Sequence, residues 1–236
     1  MKPLTVAILA GGLATRLQPD TASVPKSLLP VAGRPFIHWQ LELLASQGID
    51  QVVLCIGHLG EQIRRSVGDA CALGLSARYS HDGHALLGTG GALRHALPLL
   101  GPEFFVLYGD SYLPCSLGDV QAAWRECNAA GLLTVFRNEN RWEPSNVLLR
   151  AGRVAVYDKW APRAQMRHID YGLAILSART LAERPEGSAF DLADLYRELA
   201  LRGELAALEM PERYFEIGSR PGRAATERFL TRSAPA

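Results

Sequence analysis

Between residues 4 and 130 the chain alternates short apolar runs with amphipathic stretches, and this rhythm narrows the fold more than any other feature. The apolar runs are "LTVAIL" (4–9), "QVVLCI" (51–56) and "FFVLYGD" (104–110), and "ARYSH" (77–81) can be a further, more polar strand. Runs of strand length without polar alternation read as strands buried on both faces. The stretches 36–47, 61–67, 89–97 and 117–130 read as helices. In the first, Ile37, Leu41, Leu44 and Ala45 share one face and Gly48 ends the helix. Buried strands alternating with helices imply an α/β fold, a parallel sheet covered on both faces. Such sheets bind ligands at the carboxyl ends of their strands, near a topological switch point. Two features sit at such ends: the loop after residue 9, and Asp110.

After about residue 131 the texture changes. "LLTVF" (132–136), "NVLLR" (146–150) and "RVAVYDKW" (153–160) are short strands separated by turns, with Ala151-Gly152 as a hairpin tip. "YGLAIL" (171–176) and "YFEIG" (214–218) are further strands. Helices are expected over 190–202, with Asp191 or Ser188 near the start, and over 221–230, where Pro221 suits a first turn.

The totals set limits. A chain of 236 residues, 48% hydrophobic, suits one fairly large domain with a substantial core. A net charge of +1 gives no global basic field for nucleic acid, so a phosphate ligand must be gripped by local arginines and lysines. Cys55, Cys71, Cys115 and Cys127 form no Cys-x-x-Cys pair and read as reduced thiols. No signal peptide and no run near the ~20 apolar residues of a membrane span is visible. The expectation is a cytoplasmic protein with no membrane and no nucleic-acid partner.

The loop "LAGGLATRLQPDTASVPKSLLPVAGRP" (9–35) follows the first strand. A dinucleotide loop wants Gly-x-Gly-x-x-Gly, whereas Gly11 and Gly12 are adjacent and no third glycine follows in place. An ATPase loop wants Gly-Lys-Ser/Thr opening a helix, whereas Lys26 follows Pro25, ten residues past Arg16. Glycines after a strand let backbone N–H groups approach an anion. Arg16 offers bidentate bonds to phosphate oxygens, and Lys26 a point charge. Two cations on one glycine-rich loop suit a polyphosphate; the plainer alternative is a solvated polar loop.

The segment "LAGGLATRL…PKSLLPVAGRPFI" resembles the signature of the sugar-1-phosphate nucleotidylyltransferases, departing at Ala14, where that family carries glycine. Further resemblances follow in order: "LLGTGGAL" (86–93), "LYGDSYL" (107–113), "VYDKW" (156–160), "YGLAIL" (171–176) and "YFEIGSRP" (214–221). They cover nearly the whole chain. The resemblance implies a Rossmann-like three-layer nucleotidyltransferase fold, with a mixed, mainly parallel central sheet and a small β-rich sugar-binding part. It implies one domain over 1–232, with a nucleotide-binding half (1–130), a sugar-binding half (131–232) and no C-terminal β-helix.

The resemblance also implies roles. A nucleoside triphosphate and a sugar 1-phosphate are the substrates, and catalysis is positioning plus charge neutralisation. Arg16 and Lys26 are the catalytic cations. Leu9, Gly11, Gly12 and Thr15 cradle the triphosphate, and Gly88, Thr89 and Gly90 meet the base. Asp110 and Glu216 hold Mg2+, with Glu216 standing where the family carries aspartate. Asn146, Asp158, Lys159 and Gly172 face the sugar. Asp158 and Trp160 replace the family's glutamate and proline there. His81, Asp82 and His84 superficially look like metal ligands, but a polar loop lining the base pocket reads better.

The Gly-Thr-Gly-Gly form resembles the heptose-1-phosphate guanylyltransferase branch more than the thymidylyl branch, which implies GTP with a heptose- or mannose-type 1-phosphate. A uridylyltransferase for N-acetylmuramate or another hexose 1-phosphate is the alternative, and a non-catalytic sugar-nucleotide sensor the more distant one. A monomer or homodimer is expected.

Overall fold

A computed structural model describes residues 2–14, 17–83 and 85–233. Thr15, Arg16 and His84 lie outside the described residues.

The first apolar run forms β1 (Thr5–Leu9). The loop after it leads to a small hairpin, β2 (Pro30–Val31) and β3 (Arg34–Pro35), then α1 (Phe36–Ser46). Next come β4 (Gln51–Ile56), α2 (Gly60–Val67), β5 (Ser76–His81), α3 (Gly88–Ala96) and β6 (Glu103–Tyr108). A two-residue β7 (Ser111–Tyr112) precedes α4 (Leu117–Glu126), which is shorter than the 117–130 expected because Cys127 turns extended. The Ser116 hydroxyl caps that helix by accepting from the Asp119 N–H.

The second half supplies β8 (Gly131–Arg137), β9 (Val147–Arg150), β10 (Arg153–Tyr157) and β11 (His168–Ser177). There follow α5 (Arg179–Ala182), α6 (Leu192–Leu201), β12 (Leu205–Met210), β13 (Phe215–Glu216) and α7 (Arg220–Ser233). Of the two candidate starts for α6, Asp191 is the cap, its carboxylate accepting from the Ala193 N–H. Ala151 and Gly152 both take positive φ at the β9–β10 turn, the geometry of a two-residue hairpin loop.

Among the described residues nine strands form one sheet, ordered β5-β4-β1-β6-β11-β8-β12-β10-β9. β5, β4, β1 and β6 are mutually parallel, β11 runs antiparallel to β6 and β8, and β12 pairs parallel to β8. The strands of the second half therefore extend the sheet of the first. β12, "LAALEM", had no strand expectation; its alanines and glutamate mute the β-branched signal that marks the others.

The wholly apolar runs work as expected, because alternate residues bury on opposite faces. Val6, Ile8, Leu54 and Phe105 pack with Ile37, Leu41 and Leu44 of α1, Ile63 of α2 and Trp124 of α4. Ala7, Val53, Phe104 and Val106 pack with Leu93 of α3 and Leu195, Tyr196 and Leu199 of α6. This gives three layers, each buried Leu, Ile or Val contributing about 1.5–3 kcal/mol of transfer free energy. The chain runs from β1 outward to β4 and β5, then returns past β1 to β6. The strand order reverses between β1 and β6, so a crevice opens at their carboxyl ends.

Candidate active site

That crevice is a cleft of about 210 Å³. Its floor is Leu9, Ala10 and Gly11 after β1 and Tyr108, Gly109 and Asp110 after β6. One wall is Lys26 and Ser27; the opposite wall is Asp82, Leu86, Gly88 and Thr89.

The glycines at the floor differ in purpose. A Cβ on Gly11 would lie 2.9 Å from the Gly57 nitrogen, and one on Gly109 would lie 2.8 Å from the Leu9 carbonyl oxygen. Those two are glycines because backbone packs on backbone at the strand ends. A Cβ on Gly12 would meet nothing within 4 Å among the described residues. The protein does not need a glycine there, and its bare backbone is open to a close-lying anion. Ala14 sits at φ 50°, a left-handed conformation that favours glycine but is taken here by a residue that carries a Cβ.

Lys26 reaches across the cleft and donates to Asp110 Oδ2 at 2.5 Å. Glu216 joins them through the pairing of β13 with β7, which sets Glu216 opposite Ser111, and the Ile217 N–H donates to the Asp110 carbonyl. The carboxylate of Glu216 accepts from the Ser219 N–H and hydroxyl. Gly218 is the informative neighbour. The position its Cβ would fill lies 3.0 Å from Glu216 Oε2, 3.1 Å from Asp110 Oδ2 and 3.8 Å from Lys26 Nζ. Two carboxylate oxygens and an ammonium thus converge on a point that only glycine leaves free. A pair of carboxylates with an open side toward a phosphate cleft fits the donor set Mg2+ takes, which is one or two carboxylates plus phosphate oxygens and water. No cluster of three or more metal-ligating side chains occurs among the described residues.

Ser27 Oγ is buried in the cleft wall and has no hydrogen-bond partner among the described residues. Buried hydroxyls are nearly always paired, so an unpaired one at a cleft points to a ligand. Its neighbour in the motif, Lys26, drew the attention in the sequence.

On the base side, Gly88 (φ 72°) and Thr89 line the cleft, but Gly90 does not. The Gly90 N–H donates to the Phe190 carbonyl, and its Cβ would lie 2.2 Å from the Phe190 ring. Gly90 is a packing glycine that seats the segment before α6 on α3. Asp82 follows β5 as Asp110 follows β6, a carboxylate at a strand end, and it lines the cleft as a member of the polar loop expected there. Burial pushes its carboxyl up, opposed by a long bond from the Leu87 N–H at 3.3 Å.

The residues expected to face the sugar sit on or beside the antiparallel part of the sheet. Asp158 Oδ1 accepts from the Trp160 and Ala161 N–H groups, so the carboxylate shapes its own turn. The Ala161 N–H is the main influence lowering its pKa, burial opposes it, and the Trp160 N–H adds to the lowering. Asn146 Oδ1 accepts from the Asp170 N–H. Gly172, at φ 96° in the irregular part of β11, would place a Cβ 3.2 Å from Ser111 Oγ. It therefore lets the sugar-side strand close on the residue next to Asp110. Lys159 donates to Asp191 Oδ2 at 2.7 Å and lies 5.1 Å from the exposed Trp160 ring.

Two carboxylates here had no functional expectation. Asp170 Oδ1 accepts from the Gly172 N–H and Oδ2 from the Tyr157 hydroxyl. Burial pushes its carboxyl up to about 6 against those bonds and the Lys159 charge. Asp191 had been read only as a helix start. Their partners lie far off in sequence, so no local pattern announces them.

The fold and cleft define a nucleotidyltransferase-type α/β domain. A model of the MobA-like NTP transferase domain matches residues 6–178, and the chain belongs to that family. It is 42% identical over 104 residues to the N-acetylmuramate alpha-1-phosphate uridylyltransferase of Neisseria meningitidis, over 44% of this chain and 45% of that one. It is 35% identical over 114 residues to the D-glycero-alpha-D-manno-heptose 1-phosphate guanylyltransferase of Campylobacter jejuni, over 48% and 51%. The chain spans about half the length of the curated relatives it matches. The crystal structure of HddC from Yersinia pseudotuberculosis complexed with GMP-PN superposes with a TM-score of 0.78 at 22% identity, covering 96% of this chain and 99% of that one. The inositol-1-phosphate CTP transferase of T. maritima gives 0.80 at 18%, covering 100% and 99%.

Proposed function

We propose that the chain transfers a nucleotidyl group from a nucleoside triphosphate to a sugar 1-phosphate. The observation that carries this reading is the convergence of Lys26, Asp110 and Glu216 on the gap at Gly218, beside a glycine floor. An oxygen of the sugar phosphate attacks the α-phosphorus, the bond to the β-phosphate oxygen breaks, and pyrophosphate leaves. Both reactants are anions, so the chain's task is to align them and offset charge. Lys26 meets the α-phosphate or the attacking phosphate, and Arg16 the leaving pyrophosphate. Gly11, Gly12 and Thr15 receive the triphosphate, with Leu9 beneath. Asp110 and Glu216 would hold Mg2+, which would supply charge neutralisation at the phosphate oxygens. Lys159 takes the sugar phosphate, while Asn146, Asp158 and Gly172 border the sugar.

GTP is the preferred triphosphate in this reading, with a heptose- or mannose-type 1-phosphate. Asp82 supports it. Its strand end lies three strand spacings, about 14 Å, from that of Asp110, a span suited to a nucleoside laid from base edge to phosphate. Guanine presents two adjacent N–H donors to a carboxylate, whereas uracil and thymine present one N–H between two carbonyl oxygens that a carboxylate repels. The identity with the Neisseria uridylyltransferase favours UTP with a hexose 1-phosphate as the second reading. The class implies a place in making sugar nucleotides for cell-surface polysaccharide.

Pyrophosphate release across five triphosphates and a panel of sugar 1-phosphates, with and without Mg2+, tests both. Turnover is expected with GTP and Mg2+. Turnover with UTP alone would replace the preferred reading by the second. Silence across the panel despite nucleotide binding would make the chain a sensor and end the enzymatic reading.

A further inference from the structure

Asp191 stands where three elements meet. Its Oδ1 caps α6 by accepting from the Ala193 N–H at 2.9 Å, and it also accepts from the Thr89 hydroxyl at 3.1 Å. The same hydroxyl accepts from the Leu192 N–H at 2.8 Å. Its Oδ2 accepts from the Lys159 ammonium at 2.7 Å. Thr89 belongs to the cleft wall, and Lys159 to the turn after β10.

The segment carrying Asp191 is rigidly seated on that wall. A Cβ on Gly88 would lie 2.6 Å from the Phe190 carbonyl oxygen, and one on Gly91 would lie 2.4 Å from that of Ser188. The Phe190 carbonyl accepts from the N–H groups of both Gly90 and Gly91. The glycine-rich start of α3 and the entry to α6 are thus packed backbone on backbone, and Asp191 is the group through which Lys159 attaches to them. Burial pushes the Asp191 carboxyl up, but its bonds from Lys159, Ala193 and Thr89 outweigh that and leave it below its ordinary value. It stays an anion at neutral pH.

We infer that Asp191 is a positioning residue, whose carboxylate fixes the Lys159 ammonium against the nucleotide wall so that the sugar phosphate is anchored at a set place relative to the triphosphate. The inference rests on the reading of the site as a sugar-phosphate transferase. A lysine tethered by one donor keeps two others for phosphate oxygens. A tethered lysine also forfeits less rotamer freedom on binding than a free one. The tether is electrostatic, whereas the cap and the Thr89 bond need only an acceptor oxygen, so the two roles can be separated.

Asp191→Asn separates them, since an amide oxygen can still cap α6 and accept from Thr89. Steady-state pyrophosphate release is measured for wild type, Asp191→Asn, Lys159→Met and the double variant, with GTP or UTP and hexose or heptose 1-phosphates. Asp191→Asn is expected to raise KM for the sugar 1-phosphate about tenfold while KM for the triphosphate stays within about twofold. In the Lys159→Met background it should add nothing, the sign of a coupled pair. Unchanged KM values in Asp191→Asn would reduce Asp191 to a helix cap and overturn the inference; so would an equal rise in both, or full additivity. Should asparagine at 191 lower the yield of folded protein, Lys159→Arg probes the link from its other end. The same selective rise is expected there, and unchanged KM values contradict it. If wild type turns over no pair, the reading of the site falls, and this inference with it; the two failures are told apart by which protein shows them.

Discussion

The two sides of the cleft are built differently. On the nucleotide side, parallel strand ends are drawn together until backbone touches backbone, at Gly11 against Gly57 and Gly109 against Leu9. On the side proposed to hold the sugar, antiparallel strands are joined by side chains, Asp170 with Tyr157 and Asn146 with the Asp170 N–H, and Lys159 ties the turn after β10 to Asp191 at the start of α6. A backbone-built wall tolerates little variation and would suit the triphosphate of the proposed reaction, which is common to every such substrate pair. A wall built of side chains can be altered residue by residue, which suits the part of the substrate that varies within the family.

The largest effects should separate the two sides by chemistry. Lys26→Ala should lower kcat about 10²–10³-fold, and Arg16→Ala should remove most activity. On the sugar side, Lys159→Met should raise KM for the sugar 1-phosphate with a smaller loss of kcat. Equal losses of kcat from both sides would break the comparison.

Next come the glycines. Gly11→Ala forces a backbone shift and should cost about 1–3 kcal/mol in urea unfolding. Gly12→Ala should stay within about 0.5 kcal/mol of wild type yet weaken triphosphate binding, measured by calorimetry. Equal stability loss at both positions would mean that Gly12 too is there for packing.

Asp170 tests the sugar side by pH. Its carboxyl titrates at about 6 in the folded protein against 3.8 as the ordinary value. Between those values the folded protein holds a proton that the unfolded chain has lost, so this contribution favours folding at low pH and is lost as pH rises through about 6. Asp170→Asn should therefore be more stable than wild type at pH 8 by about 1–3 kcal/mol, with the difference vanishing near pH 4. A pH-independent difference would contradict the burial of that charge.

The smallest effect belongs to Ala14. Its φ of 50° carries a strain that glycine relieves, offset by glycine's greater freedom when unfolded. Ala14→Gly should gain under about 1 kcal/mol and leave activity within a few-fold.

The same contrast explains what the sequence disclosed. The nucleotide wall is local: strand, glycine loop and Lys26 lie within one motif, and Asp110 ends an apolar run, so both were legible. The packing of Gly90 on Phe190 was not legible, because a glycine that receives a phenylalanine ring and one that receives a base look alike in a sequence. Asp191 was legible as a helix start, but its bonds to Lys159 and Thr89 and that of Asp170 to Tyr157 were not, because those partners lie 13 to 102 residues away. β12 escaped notice because burial, not propensity, makes it a strand.

Gly218 offers the most direct test of the account, since the point its absent side chain leaves open is where metal and phosphate are expected to meet. Its neighbours there are flexible side-chain ends at 3.0 and 3.1 Å, so Gly218→Ala should fold normally. Mn2+ binding in the presence of GTP, followed by electron paramagnetic resonance on wild type and Gly218→Ala, measures whether that point is the cation site. The account predicts tight binding in wild type and binding weakened at least about tenfold in the variant. Equal Mn2+ affinity in the two proteins would contradict it.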